Sequence, residues 1–338
     1  MTLTISPGDG RRWLACQPQG GANRSTLCFP LSLFLCVLRV LCGKKSPLRA
    51  VAIFAPQVSP RRLLPFEQAG GPIGIVEEIA PGLAADAALI FGGDGTLHRH
   101  LAGLAATQVP LLAVPAGSAN DFAWNLGLRS VDDALAAWRR FAAGGGNLRA
   151  VDLGVIESPA GAAGPHQAIY FCCVAGCGLD AEANRRANAM PRWLRAHGGY
   201  KLAALLTILL HRSQTITVIA QDAAPGGERR LSRPARLVAF GNSPTYGGGM
   251  RIAPGADLED GLLNLCFVSH LDRLRLLRFF PTVLSGRHVG MKEVEYLPTP
   301  YLRVETEPPL EVYADGEYVC RTPIAVRVQP RALRVVAP

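Results

Sequence analysis

The stretch that decides the fold is Ala87-Ala88-Leu89-Ile90-Phe91-Gly92-Gly93-Asp94-Gly95-Thr96. An unbroken apolar run ending in a glycine turn reads as a buried strand that opens into a helix. The pattern returns 25 residues further on, from Gly92 to Gly117. There Val109-Pro110-Leu111-Leu112-Ala113-Val114 leads into Pro115-Ala116-Gly117-Ser118-Ala119-Asn120-Asp121-Phe122. Strand, glycine turn and helix, repeated, predict an α/β domain whose two turns share the carboxyl edge of one sheet, where open α/β folds bind ligands.

Such turns suit phosphate. Glycine lets backbone N–H groups approach anionic oxygens, and a following helix adds unpaired N–H groups and the positive end of its dipole. Thr96 and Ser118 are expected at helix starts, where a hydroxyl caps the helix or touches a phosphate. Asp94 and Asp121 bring carboxylates to the same edge. Carboxylates and phosphates coexist when a cation lies between them, which points to a Mg²⁺-nucleotide. Neither a Walker-type P-loop nor a G-x-G-x-x-G dinucleotide fingerprint is present.

These blocks resemble the catalytic domain of the diacylglycerol kinase and lipid kinase family, which includes sphingosine kinases and bacterial lipid kinases. Three later segments extend the resemblance. Tyr246-Gly247-Gly248-Gly249-Met250 runs into Pro254, Ala256, Leu258 and Asp260-Gly261-Leu262-Leu263; Asp315-Gly316-Glu317 and Val151-Asp152-Leu153-Gly154 also match. The likeness spans about residue 49 to the end. It implies a three-layer α/β nucleotide-binding domain of the Gly-Gly-Asp-Gly kinase type with a β-rich sandwich second domain. The implied boundaries are 49–147 plus 322–338 for the ATP-binding domain and 148–321 for the lipid-substrate domain.

The resemblance also implies roles. Asp315 would accept the proton of a lipid hydroxyl in the cleft between the domains. Gly92, Gly93, Asp94, Gly95, Thr96, Leu97, His98, Gly117, Ser118, Asn120, Asp121 and Glu317 would hold ATP. Asp94, Asp121 and Asp152 would form the network around the catalytic Mg²⁺. Asp257, Asp260 and Leu262 would bind a second, structural Mg²⁺, partly through backbone carbonyls. The expected protein is a cytoplasmic kinase, peripheral at the inner face of the membrane, acting on a lipid at the membrane surface, with a homodimer left open.

Two departures stand out. The family's Asn-Pro-x-Ser-Gly after its first strand is replaced by Ala55-Pro56-Gln57-Val58-Ser59-Pro60, and Arg99 stands where a Glu is usual, between His98 and His100. Two other readings remain open. An NAD kinase or phosphofructokinase-type kinase shares the Gly-Gly-Asp-Gly loop. A lipid- or ATP-binding relative without turnover would fit the altered positions.

Bulk properties narrow the partners. The net charge is +9. Residues 1–50 hold Arg11, Arg12, Arg24, Arg39, Lys44, Lys45 and Arg49 against Asp9, so +6 sits there and +3 in the remainder. A nucleic-acid partner is not indicated. The nine Cys lack paired C-x-x-C spacing and suit core thiols of a reducing compartment. Residues 1–48 read as a non-catalytic extension. Its apolar run Leu27–Leu38 is too short for a confident span and offers a weak anchor alternative.

Val131, Leu135, Trp138 and Phe141 have helical spacing, and Gly144-Gly145-Gly146 closes that segment. Strands are expected over 167–173, 214–219, 235–240, 262–268, 301–305, 310–313, 324–328 and 333–336. Asn184 to Arg212 mixes leucines with arginines. It suits either contact with anionic lipid headgroups or a helix pair packed on the β domain.

Overall fold

The computed structural model describes residues 2–8, 11–17, 29–30, 48–157, 168–189, 207, 213–224 and 226–338. The chain divides into two units, residues 1–48 and 49–338. In the first, β1 (Thr2–Gly8) pairs antiparallel with β2 (Arg11–Gln17), and β2 with β3 (Phe29–Pro30). Apart from Phe29 and Pro30, the apolar run Leu27–Leu38 lies outside the described residues, as does most of the stretch Asn184–Arg212. Among the described residues no helix is long and apolar enough to cross a membrane.

The second unit opens with a parallel sheet. Strands β4 (Ala50–Phe54), β5 (Ile73–Ile75), β6 (Ala87–Gly92) and β7 (Leu111–Pro115) lie in the order β5-β4-β6-β7. All six residues of β6 are buried, as its continuous apolar run requires in the middle of a parallel sheet. The edge strand β5 is short and mostly exposed, which limits its unpaired backbone.

Helices α1 (Leu64–Gly70) and α5 (Val131–Ala142) pack together. The latter starts at a capping box in which Ser130 and Asp133 satisfy each other's backbone N–H. Fully buried Trp138 donates its Nε1–H to the Phe66 carbonyl at 2.9 Å. Gly70 leaves room for that indole, which any Cβ there would strike. Between them in sequence lie α2 (Asp94–His98), α3 (Leu101–Thr107) and α4 (Asp121–Asn125).

The long strand β8 (Leu148–Glu157) leads into the β-rich half. There β9 (Ile169–Phe171), β10 (Val174–Gly178), helix α6 (Leu179–Ala189), β11 (Gln214–Gln221), β12 (Glu228–Gly241) and β13 (Leu263–Ser269) are followed by helix α7 (Arg273–Ser285). Strands β14 (Val294–Thr299), β15 (Tyr301–Thr306), β16 (Glu311–Ala314) and β17 (Glu317–Arg321) complete it. The order runs β17-β16-β10-β12-β11-β15, with β13 and β14 continuing from β12. Its core centres on Phe171, Phe240, Phe267, Val218, Leu302 and Val326, with the Phe171 and Phe240 rings edge to face at 5.9 Å.

The final strand β18 (Ile324–Val336) ties the halves together. Its start pairs with β15, its whole length runs antiparallel to β8, and Val335 pairs in parallel with Leu111 of β7. The two separate closing strands expected over 324–328 and 333–336 are thus one strand. A register shift between Gln329 and Leu333 interrupts it, with Arg331 at φ +52. In the β-rich half, strands β10, β14 and β17 and helix α7 lie outside the ranges expected from the sequence.

Candidate active site

The two glycine turns lie against each other. A Cβ on Gly93 would strike the Ala119 carbonyl, and one on Gly117 would strike the Gly93 backbone. These glycines therefore serve loop-on-loop packing as well as ligand access. Asn120 folds back on its own loop: Gly117 N–H donates to its Oδ1 at 2.9 Å, and its Nδ2 donates to the Gly117 carbonyl at 2.9 Å. Thr96 stands in the first turn of α2 over Gly92, where no Cβ would fit. Leu97 is buried, so its backbone alone can face a ligand. Exposed Ser118 sits in the loop before α4 rather than at the helix start.

Asp94 fastens one turn to the other. Its carboxylate accepts the Asp121 N–H at 2.9 Å and the Phe122 N–H at 3.1 Å, the first donors of α4. Asp121 in turn accepts the Gly248 and Gly249 N–H groups at 2.7 and 2.8 Å. This joins the α/β half to the Tyr246–Met250 turn of the β-rich half, whose glycines at φ +85 and +100 aim consecutive N–H groups at one carboxylate. Asn125 adds a second tie, donating through Nδ2 to the Ser243 and Thr245 hydroxyls.

Burial, with the Asp121 charge next, pushes the Asp94 carboxyl up to about 7. Burial also raises Asp121, offset in part by the two glycine N–H groups. Asp315 adds to the negative field at both.

Asp315 is held from the other side. It has φ +50, and its N–H donates to the Val174 carbonyl. The carboxylate accepts Cys173 N–H on Oδ1 at 2.8 Å and Cys172 N–H on Oδ2 at 3.0 Å. These two residues form a bend between β9 and β10, which is why the strand expected over 167–173 breaks there. His98 Nδ1 lies 3.1 Å from Asp315 Oδ2. The Asp315 side chain is 0% exposed, and that of His98 is 11%. Nearby, Glu317 sits over Gly95, its Oε1 occupying the space a Cβ would need, and pairs with Arg99 at 3.7 Å.

Asp152 belongs to a different group. It accepts Gly261 N–H at 2.7 Å and, within the register shift of β18, Arg331 N–H at 2.7 Å, while its own N–H donates to the Leu258 carbonyl. Asp257 and Asp260 close the same loop, accepting the Glu259 and Leu262 N–H groups. Burial and the charges of Asp257 and Asp152 raise Asp260. The acids thus form two clusters, Asp94–Asp121–Asp315 and Asp152–Asp257–Asp260. Asp152 is thus tied to its own pair of backbone donors, apart from those of Asp94 and Asp121, and among the described residues no trio of these carboxylates closes to within 4.8 Å.

Among the described residues the one set of three candidate ligand atoms that close together is Cys172, Cys173 and Asp315. Burial pushes the Cys173 thiol up to about 12 and the Cys172 thiol well above its ordinary value. Neutral, soft sulfur does not suit Mg²⁺. Asp94 and Asp121 do. Each of their carboxylate oxygens accepts one backbone N–H, a carboxylate oxygen has two lone pairs, and Mg²⁺ is ordinarily bound by one or two carboxylates with phosphate and water completing the shell.

Glycine loops at a parallel-sheet edge, closed by a β-sandwich and lined with buried carboxylates, define a two-domain kinase architecture. Residues 44–156 match the diacylglycerol kinase catalytic domain family, and residues 173–337 match the YegS C-terminal NAD kinase beta sandwich-like domain. The chain is 35% identical over 253 residues to a diacylglycerol kinase of Mycobacterium tuberculosis, covering 75% of this chain and 77% of the relative. It is 32% identical over 251 residues to the probable lipid kinase YegS-like protein of Chromohalobacter salexigens, covering 73% and 74%. A solved protein of Bacillus anthracis str. Sterne shares the fold at a TM-score of 0.66 and 20% identity, over 87% of this chain and 97% of that one. The chain therefore belongs to the diacylglycerol kinase and YegS-like lipid kinase family, and lipid kinase is the activity its family supports.

Proposed function

We propose that the protein is an ATP- and Mg²⁺-dependent kinase that transfers the γ-phosphate to the hydroxyl of a diacylglycerol-like lipid. The observation that carries this reading is the convergence of Asp94, Asp121 and Asp315 where the two glycine turns meet the Gly248–Gly249 turn. Loose phosphoryl-transfer transition states depend on positioning and charge neutralisation, which such a site supplies.

In this reading Gly93 and Gly95 offer backbone N–H groups and Thr96 and Ser118 hydroxyls to the phosphates, Gly117 leaves room for their approach, and Glu317 borders the nucleotide. Asp94 and Asp121 hold Mg²⁺, which when bound neutralises phosphate charge. Asp257, Asp260 and the Leu262 carbonyl would form the second, structural metal site, and in this reading Asp152, whose carboxylate accepts the Gly261 N–H of the same loop, joins them rather than the catalytic Mg²⁺. The lipid hydroxyl oxygen bonds to the γ-phosphorus as the bridging oxygen leaves with ADP. The hydroxyl proton passes to the Asp315–His98 pair. Asp315 favours the imidazole tautomer with hydrogen on Nδ1, leaving a lone pair on Nε2, and stabilises the imidazolium that proton uptake creates.

The test is transfer of label from γ-labelled ATP to a panel of lipids in detergent micelles, with NAD⁺ as a soluble acceptor. Labelled diacylglycerol supports the reading. Labelled NAD⁺ with no labelled lipid would favour the NAD kinase alternative, and no labelled product with ATP bound would favour a non-catalytic binder.

A further inference from the structure

Helix α7 has two apolar faces and only one is used. Leu276, Phe279 and Val283 are buried, with the Phe279 ring edge to face on His288 at 5.6 Å. Leu274, Leu277 and Leu284 stand out from it at 65%, 36% and 47% exposure, with exposed Pro281 between them. The spacing 274, 277, 281, 284 follows one side of a helix, where a helix facing only water carries polar residues.

The surrounding charge is one-sided. Residues 272–292 contain Arg273, Arg275, Arg278, Arg287 and Lys292 against the single carboxylate of Asp272. Asp272 also caps the helix by accepting Arg275 N–H at 2.8 Å. Arg275 lies 3.4 Å from Asp272 and 3.3 Å from Glu293. Among the described residues no ion pair engages Arg273, Arg278 or Arg287, and all three are exposed. A second copy of the same face would meet like charge, whereas an anionic surface complements it.

The helix end is also joined to the candidate site. Arg251 N–H donates to the Val283 carbonyl at 3.1 Å, His288 Nε2 lies 3.0 Å from the Ile252 carbonyl, and Gly286 packs on Pro254. This segment directly follows the Tyr246–Met250 turn whose N–H groups hold Asp121.

We infer that α7 is an interfacial docking helix, seating Leu274, Leu277 and Leu284 in a bilayer while Arg273, Arg278 and Arg287 contact anionic headgroups. The inference rests on the reading that the acceptor is a membrane lipid, and its test can fail separately from that reading. Full-length protein is sedimented with vesicles of phosphatidylcholine plus phosphatidylglycerol, and with vesicles of phosphatidylcholine alone.

The wild type should bind the anionic vesicles. The Leu274→Gln/Leu277→Gln/Leu284→Gln variant should bind them about tenfold or more weakly. The Arg273→Gln/Arg278→Gln variant should lose affinity and most of its salt dependence. Turnover on a short-chain, water-dispersed diacylglycerol should stay unchanged in both variants, showing an intact fold and site. Wild-type-like vesicle binding by the leucine variant would overturn the inference, as would no binding by the wild type. So would a wild-type dimer that the leucine substitutions turn into a monomer. Leucine-dependent docking with no phosphorylated lipid would retain the docking helix and reject the kinase reading.

Discussion

The two acidic clusters are built from the same residue type and the same kind of bond, yet they differ in what is left over. Asp152 joins the 258–261 loop to the register shift of β18 and stays within the strand framework that links the two halves. Asp94 and Asp121 also satisfy backbone donors, but they do so beside each other and beside Asp315, so charge accumulates there beyond what the N–H groups offset. A buried carboxylate that bridges two backbone segments is a latch, whereas carboxylates that do the same while crowded against each other's charge make a site that gains from a cation.

The largest effect expected from this contrast is on turnover. Asp94→Asn should lower kcat by about 10³ and abolish its response to Mg²⁺, since it removes charge at the phosphates. Asp152→Asn, assayed at a temperature where both variants are folded, should keep Mg²⁺ activation and lose less than about tenfold in kcat. Equal losses of Mg²⁺ response in the two would erase the distinction.

Stability should not separate the two clusters in this way. Asp152→Ala leaves two backbone N–H groups without their partner and should cost about 2–5 kcal/mol, read from denaturant midpoints. Asp121→Ala should cost a similar amount through Gly248 and Gly249. A loss under about 0.5 kcal/mol for either would mean that the latch is not tight.

Asp94 alone should impose a pH dependence of opposite sign to that of a typical salt-bridged aspartate. Its folded carboxyl titrates at about 7 against an ordinary 3.8, so the folded state holds the proton more tightly. Between those values its contribution to stability falls as pH rises, by about 4 kcal/mol at most, and then levels off. The wild-type unfolding free energy, minus that of Asp94→Asn, should therefore decline from about pH 4 to about pH 7. Adding Mg²⁺ at alkaline pH should restore part of it. A flat or rising difference would contradict the crowding argument.

The smallest effect belongs to Arg99. Its ion pair with Glu317 is largely exposed, 3.7 Å long and worth little in water. Arg99→Glu should change kcat/KM for ATP by less than about threefold. A larger change would give the arginine a direct part in binding phosphate.

Much of the architecture was legible because it is written in short range. The continuous apolar runs of β6 and β7 and the helical spacing of Val131 to Phe141 announced the α/β half. The three later family blocks pointed to the second domain, and the structure has both. The site was less legible. Asp94, Asp121 and Asp315 could be picked out, but the partners that define their roles lie 27, 127 and 217 residues away, at Asp121, Gly248 and His98. No local pattern told that Asp152 accepts the Gly261 and Arg331 N–H groups. The Gly247-Gly248-Gly249 run was the one available signal, since successive positive-φ residues can aim neighbouring N–H groups at one anion. Helix α7 escaped notice because its arginines and leucines alternate without a single clean apolar stripe, and Pro281 interrupts it. Strands β14 and β17 are short, with half-exposed polar residues among the apolar ones.

The most direct test of the central claim compares wild type and Asp315→Asn on diacylglycerol in mixed micelles, measuring ATP affinity and turnover on the same preparations. The account predicts ATP binding within about twofold and a kcat lower by about 10²–10⁴, the range general base catalysis supplies. Equal turnover in the two proteins would contradict it.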